Sequence, residues 1–211
     1  MAKYPIYLDL KDKKVVVIGA GPVAERKVRL LCIAGAKVLV VARDIDQNPA
    51  KSCEEEGIKT ISGGYSKEHL KGAVLAIAAT NDTSLNKQVY NDCHELSVLC
   101  NVVDVPELCD FHVPAVVRRG DLQIAVSTDG SCPAYAARLR KKLEDIFTED
   151  HARFITELKT AREQTIKRIS DPDKRKKILE ELVKDESFKR FINQGPEAWQ
   201  RQFQELIEQY R

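Results

Sequence analysis

Val15-Val16-Val17-Ile18-Gly19-Ala20-Gly21-Pro22-Val23-Ala24 decides the fold. An unbroken apolar run reads as a strand buried on both faces of a parallel sheet. Two glycines follow, one residue apart. Gly19 lets the chain turn sharply. Gly21 lets a phosphate approach the backbone, because no Cβ stands in the way. Pro22 suits the first turn of a helix, where its missing N–H would have no partner. The free N–H groups and positive dipole end of that helix suit a pyrophosphate. The stretch proposes a bound dinucleotide.

Working outward, the helix predicted from Val23 to Ala34 places Leu30 and Leu31 on the apolar face and Lys27 in solvent, with Gly35 as its stop. Lys37–Ala42 is a second apolar strand, so strand, helix and strand make one parallel crossover unit. A more polar helix ends at Gly57, and Ile58–Ile61 is a short third strand before the Gly63-Gly64 loop. Ala73–Thr80 and Val98–Val103 are further strands around a helix that Asn81-Asp82-Thr83 starts. This alternation predicts a doubly wound α/β sheet. Two prolines in the stretch from Asp104 to Pro114, Pro106 and Pro114, break it. Pro114–Gly120 and Leu122–Thr128 then read as a hairpin, and Asp129–Pro133 as a loop opening onto a helix. From about Ala134 the chain is helical, punctuated by Asp171-Pro172 and Gly195-Pro196.

The totals exclude several classes. The 211 residues suffice for one good core and an appendage. A formal net charge of +2 argues against a nucleic-acid-coating surface. No apolar run approaches the roughly 20 residues needed to span a bilayer, and the start of the chain lacks a signal-peptide core. The six cysteines form no CxxC pair and read as reduced thiols of a cytoplasmic protein, not as a disulfide frame or a zinc site.

Candidate site residues lie where the strands end. Gly19, Gly21 and Ala24 form a GxGxxA pattern in the right context for a dinucleotide. After the second strand come Arg43 and Asp44, where Asp44 could reach a ribose and Arg43 could stack on adenine or meet a 2′-phosphate. These residues leave NAD and NADP both open. Thr80 and Asn81 end the fourth strand, where ligands of open sheets sit, and equally suit a helix cap. Asp104 follows the fifth strand, either as a proton acceptor or as a turn-forming Asp before Pro106. His112 and His94 are the histidines nearest that edge along the chain, and neither has metal-ligand spacing, so no metal site is expected. Arg118, Arg119, Arg138, Arg140, Lys141 and Lys142 flank the Ser127–Pro133 loop, which suits a substrate with many carboxylates.

Four stretches occur together and in order: Val17–Lys27, Ala76–Asp82, Cys100–Pro106 and Ser127–Pro133, with Ala137-Arg138-Leu139-Arg140 beyond. In these the chain resembles the bifunctional precorrin-2 dehydrogenase/sirohydrochlorin ferrochelatase family, including the N-terminal portion of siroheme synthases. The resemblance is close over residues 1–150 and looser in the helical tail, and it includes no methyltransferase module. It implies NAD-dependent oxidation of precorrin-2 to sirohydrochlorin, with ferrous iron insertion as a second activity in many members. It places the family's essential aspartate on Asp104 and its cofactor contacts on Pro22, Val23, Arg43 and Asp44, which favours NAD. Thr128 stands where some members carry serine, and Thr128, Ser131, Arg118, Arg138 and His112 are the expected substrate contacts. The resemblance also implies a homodimer interlocked through its middle segment.

The expected architecture is thus a Rossmann-type domain over residues 1–113, an α+β dimerisation segment over 114–145 and a helical C-terminal domain over 146–211. The expected partners are tetrapyrroles and ferrous iron as substrates, with no nucleic acid and no membrane. A chain that only dehydrogenates is the nearest alternative. A non-catalytic NAD-sensing module, acting through the charged helical tail, is the alternative from another class.

Overall fold

A computed structural model describes residues 3–43 and 58–211, in two compact units, Met1–Val113 and Pro114–Arg211. Asp44 and the polar helix expected to end at Gly57 lie outside the described residues.

The first unit contains β1 (Lys14–Ile18), α1 (Pro22–Ile33), β2 (Lys37–Ala42), β3 (Ile58–Ser62), β4 (Ala73–Ala78), α2 (Thr83–Glu95) and β5 (Leu99–Val102). The strands are all parallel, in the order β3-β2-β1-β4-β5. Both faces of the sheet are covered, as the apolar run of β1 requires. Because strand side chains alternate, Val16 and Ile18 join α2 residues Val89 and Cys93 on one face. Val15 and Val17 join Ala24, Val28 and Leu31 of α1 on the other. Each such side chain, fully buried, contributes about 1.5–3 kcal/mol. The exposed ion pairs, such as Arg29–Glu25 at 3.0 Å, are each worth about 0–1 kcal/mol. Hydrophobic burial therefore holds this unit together.

The buried stripe of α1 is Ala24, Val28 and Leu31, at i, i+4 and i+7. Leu30, expected inside, is 47% exposed. Its position on the wheel points away from the sheet once Ala24 and Val28 define the packed face. Lys27, expected in solvent, is half-buried on the flank of that stripe. Gly35 ends the helix with φ +74°, donating to the Cys32 carbonyl at 2.8 Å while Ala36 donates to Leu31 at 3.1 Å. This pair of bonds is the glycine stop of a Schellman motif.

The second unit begins with a hairpin, β6 (Ala115–Arg119) and β7 (Leu122–Val126), paired antiparallel from Ala115↔Val126 to Arg119↔Leu122. Gly120 makes the tight turn with φ +55°. Five helices follow: α3 (Pro133–Ile146), α4 (Glu149–Arg168), α5 (Pro172–Leu182), α6 (Asp185–Gln194) and α7 (Pro196–Tyr210). Their shared core includes Phe154, Ile178, Leu182, Phe191, Trp199, Phe203 and Ile207. Trp199 is 1% exposed, and its indole N–H donates to Ser187 Oγ at 2.7 Å, which spares the core an unpaired donor. Asp171 caps α5 by accepting from the amides of Asp173 at 2.8 Å and Lys174 at 3.2 Å. Among the described residues no helix is long and apolar enough to cross a membrane.

Candidate active site at the carboxyl edge of the sheet

The strand order reverses direction between β1 and β4, and ligands of open α/β sheets sit at such a switch point beyond the carboxyl ends of the strands. There the first unit has a cleft of about 480 Å³. Gly19, Gly21, Arg43, Thr80 and Asn81 all line it, so the structure brings these expected residues together.

The two glycines do different work. Gly19 has φ +116°, and a Cβ there would lie 2.3 Å from the Ala79 carbonyl oxygen. It is required by the close approach of β1 and β4. Gly21 has an extended backbone, φ −74° and ψ 176°, as the N-cap of α1, and no side chain caps the helix. A Cβ on Gly21 would meet nothing within 4 Å. The open space above Gly21 and the uncapped N-terminus of α1 fit a pyrophosphate. The residues present therefore fit a dinucleotide, with Pro22 and Val23 opening the helix beneath its pyrophosphate.

Thr80 plays a part that the sequence did not disclose. Its hydroxyl donates to Asn86 Oδ1 at 2.7 Å and accepts from the Asp82 amide at 3.1 Å. Asn86 Nδ2 returns a bond to the Thr80 carbonyl at 3.0 Å. The Thr80 side chain is thus committed to shaping the turn, while Asn81 is exposed at the cleft. Asp82 caps α2 by accepting from Leu85 N at 3.0 Å, so one turn both starts the helix and lines the cleft. Gly63 and Tyr65 are further lining residues that sequence reasoning missed. The Tyr65 phenol donates to Asp92 Oδ2 at 3.0 Å. Burial first, and then the bond to Asp92, push its pKa above the ordinary value for tyrosine.

Asp104 stands at the same edge of the sheet. Val103 still pairs with β4, its amide donating to the Ala78 carbonyl at 3.0 Å. The chain then turns, with Val105 N donating to the Val102 carbonyl at 3.3 Å, and Asp104 occupies that turn with φ +62°. A left-handed backbone is uncommon outside glycine, and Asp tolerates it better than most residues. Asp104 is exposed, a carboxylate held up on a tight turn beyond the strand. Nearby, the Lys27 ammonium is drawn below the ordinary lysine pKa by burial and secondarily by Arg26, while Cys109 and Asp104 act in the opposite sense.

The histidines go elsewhere within this unit. After a short 3-10 turn at Pro106–Leu108, the chain runs back antiparallel to β5 through an Asn101↔Cys109 bridge. Asp110 N donates to the Cys100 carbonyl at 2.8 Å, and Cys100 N donates to Asp110 Oδ2 at 2.8 Å. That direction carries His112 toward the amino end of β5, away from Asp104. His94, expected near the carboxyl edge, closes α2 and lies 3.3 Å from Asp110 Oδ1, which belongs to the opposite end of the strand.

In the second unit the basic clusters divide. Arg119 donates to the carbonyls of Arg118 at 2.9 Å and Glu144 at 3.2 Å, and its Nε lies 3.4 Å from Glu149 Oε1. It ties β6 to the end of α3. Arg140 pairs with Glu144 one turn on. Arg118, Arg138, Lys141 and Lys142 stay exposed. The loop before α3 is internally bonded. Thr128 Oγ1 accepts from Cys132 N at 3.2 Å, and the Thr128 carbonyl accepts from Ser131 N at 2.9 Å. Ser131 itself is exposed. A larger hollow of about 710 Å³ lies on α4 and α7. It is lined chiefly by glutamates and glutamines and has none of the cleft's cofactor features. Among the described residues no cluster of three His, Cys, Asp or Glu could hold a metal, and Cys93, Cys100, Cys109 and Cys132 are free thiols.

Residues 6–115 match the NAD_binding_7 family model, described as NAD(P)-binding, and residues 119–146 match the model described as sirohaem biosynthesis protein central. Fold and cleft alike are those of a Rossmann-type dinucleotide-binding protein. The chain belongs to the NAD(P)-binding family that the first of these models describes, and it is similar to siroheme synthases. It is 34% identical over 207 residues to the siroheme synthase of Methylobacillus flagellatus, covering 98% of this chain and 44% of that one. With the siroheme synthase of Azotobacter vinelandii it shares 37% over 189 residues, covering 90% and 41%. The chain thus spans less than half the length of these curated relatives. A solved structure titled "SirC, precorrin-2 dehydrogenase" superposes with a TM-score of 0.76 at 26% identity, covering 99% of this chain and all of that one.

Proposed function

We propose that this protein oxidises precorrin-2 to sirohydrochlorin in siroheme biosynthesis, with NAD as the acceptor. The observation that carries the reading is the pairing of the Gly19–Gly21 cleft with Asp104 at one sheet edge. It is supported by the full-length likeness to a structure titled as a precorrin-2 dehydrogenase.

A bound nicotinamide dinucleotide supplies the hydride acceptor. Gly21 and the N-terminus of α1, which Pro22 and Val23 open, would hold the pyrophosphate, and Arg43, with Asp44 following it in sequence, would take the adenosine end. Asn81 faces the cofactor from the end of β4, and Thr80, through Asn86, fixes the turn that presents it. Loss of a hydride from the macrocycle must be accompanied by loss of a proton, and Asp104 accepts it. The same carboxylate can take a pyrrole proton when ferrous iron enters the ring, so ferrochelatase activity belongs to the proposal. Arg118 and Arg138, with Thr128 and Ser131, receive the carboxylates of the substrate. In this reading the protein is a cytoplasmic homodimer, residues 114–145 forming the dimerisation segment and residues 146–211 the helical remainder of the same compact unit.

Purified protein with fresh precorrin-2 and NAD should form sirohydrochlorin and NADH in equal amounts. NADH binding without any turnover would instead favour the cofactor-sensing module. Parallel titrations with NADH and NADPH decide the cofactor, and anaerobic incubation of sirohydrochlorin with ferrous iron decides chelation. Asp104→Asn should retain NADH binding and lose at least a hundredfold in turnover, the usual scale for a general base. A wild-type rate in that variant would remove Asp104 from the mechanism.

A further inference from the structure

Tyr65 lines the cleft, and the proposed chemistry gives it no part. It follows β3, two residues after Gly63, which lines the cleft as well. The residue is half-buried and packs on the core cluster that contains Ile18, Val41 and Ala78, as does Leu85 of α2, another lining residue. Its polar end is tied down, because the phenol donates to Asp92 Oδ2 at 3.0 Å. Asp92 is held in turn, its other oxygen lying 3.9 Å from the Lys67 ammonium. The turn after Tyr65 is fixed too. Ser66 N donates to His69 Nδ1 at 3.1 Å, and Ser66 Oγ accepts from Glu68 N at 3.2 Å. The rings of His69 and Tyr65 meet edge-on with centroids 6.2 Å apart. Tyr65 therefore offers the cleft an aromatic ring fixed in place, with its one phenolic proton already donated.

We infer that Tyr65 is a binding residue for the adenine of the cofactor, its ring forming one wall of the adenine subsite, and that Asp92 is the positioning residue that holds the ring there. The inference deepens the dinucleotide reading of the cleft and rests on it. Strand order decides which half of the dinucleotide this ring meets. Along the carboxyl edge the order is β3-β2-β1-β4-β5. Tyr65 follows β3, Arg43 follows β2, Gly21 follows β1, and Thr80 and Asn81 follow β4. Asp104 lies beyond β5. With the pyrophosphate over Gly21 in the middle, the reacting half of the cofactor must run toward β4 and β5. The adenosine half then runs toward β2 and β3, the side of Tyr65. Adenine is a flat ring with a π-face, and offset or edge-to-face contact with an aromatic side chain suits it whatever its ring substituents.

The test uses ligands that each carry one half of the cofactor. ADP-ribose has the adenine and no nicotinamide, and reduced nicotinamide mononucleotide has the reverse. Affinities of the full chain for both, and for NADH, are measured by titration calorimetry. Tyr65→Leu should weaken NADH and ADP-ribose roughly tenfold and leave the mononucleotide within about twofold. Tyr65→Phe and Asp92→Ala keep the ring and lose its tether, so each should weaken ADP-ribose only about threefold. Asp92→Asn still accepts the phenol proton and should restore the wild-type value. Unchanged ADP-ribose affinity in Tyr65→Leu, or equal losses for the two half-ligands, overturns the inference. An Asp92→Asn variant as weak as Asp92→Ala overturns the positioning role. A second measurement needs no folded leucine variant. In the wild-type protein, bound ADP-ribose should show nuclear Overhauser contacts from its adenine protons to the Tyr65 ring, whose signals are assigned by their change in Tyr65→Phe. Absence of those contacts also overturns the inference. A wild-type protein that binds NADH and leaves precorrin-2 unchanged overturns the dehydrogenase reading alone. One that binds neither NADH nor ADP-ribose overturns the cofactor reading and this inference together.

Discussion

Replacing Gly19 by alanine separates the two glycines of the cleft. The new Cβ would stand 2.3 Å from the Ala79 carbonyl oxygen and 2.8 Å from its carbon, on a backbone with φ +116°. A positive φ costs an ordinary residue about 1–2 kcal/mol, and forcing a methyl into a packed contact costs about 1–3 kcal/mol. The two together come to about 2–5 kcal/mol, a large part of the about 5–15 kcal/mol that holds a domain folded. At about 2–4 °C per kcal/mol for a chain of this size, Tm should fall by roughly 4–20 °C. Gly21→Ala is the control. Its φ of −74° suits any residue, and its Cβ has no neighbour within 4 Å. Its Tm should stay within about 2 °C of wild type, while NADH affinity falls about tenfold or more as the methyl enters the pyrophosphate space, near 1.4 kcal/mol. Circular-dichroism melts and NADH fluorescence titrations on both variants give the answer. If Gly19→Ala melts with wild type, or Gly21→Ala binds NADH unchanged, the division of labour argued for the glycines is wrong.

Asn86→Ala should destabilise the protein by about 1–2 kcal/mol, because the Thr80 carbonyl loses its side-chain donor in a half-buried turn while the Thr80 hydroxyl keeps only its bonds to Asp82. NADH affinity should fall with it. Urea unfolding and a binding titration measure the two, and stability unchanged within error would show that the turn needs no amide. The depressed pKa of Asp171 comes first from the Lys174 amide and then from the Asp173 amide. A carboxylate whose folded pKa is lowered contributes stability above its unfolded value and loses it as pH falls through the folded one. The stability gap between wild type and Asp171→Ala should therefore be full above about pH 4 and close below it. A gap that persists undiminished at pH 2 would mean the cap acts without its charge.

The fold was legible where one physical cause dominates. Val15–Ile18 admits no reading but a strand covered on both faces, and Gly21-Pro22 marks a helix start whatever surrounds it. The hairpin turn at Gly120 and the stops at Gly35 and Gly195 were readable for the same reason, since each needs a backbone that glycine adopts cheaply. The site was legible as a set of chain positions at strand ends, and the cleft gathers Gly19, Gly21, Arg43, Thr80 and Asn81. What escaped depends on contacts between distant residues. Asn86 reads as a surface amide on a polar helix, and only the turn at Thr80 gives it a task. Lys27 looks exposed along the chain and is half-buried in the fold, on the flank of the stripe that packs α1 to the sheet. Arg119 and Arg140 look like substrate ligands until the end of α3 takes them up. The left-handed backbone of Asp104 has no marker in its composition, because Asp occurs as readily in ordinary turns.

The return of the chain along β5 bears on how this protein can associate. An outermost strand with free amides and carbonyls invites other chains to add to the sheet. Here Asp110 answers Cys100 twice, its amide bonding the Cys100 carbonyl and its carboxylate taking the Cys100 N–H, each at 2.8 Å. A side-chain carboxylate thus substitutes for the peptide carbonyl of a further strand, without supplying a strand that could itself be extended. The side of the sheet nearest Asp104 is closed to lateral growth, and the same segment that closes it also fixes where the turn of Asp104 must end. Protection from aggregation and placement of the proposed base are therefore two results of one short stretch of chain.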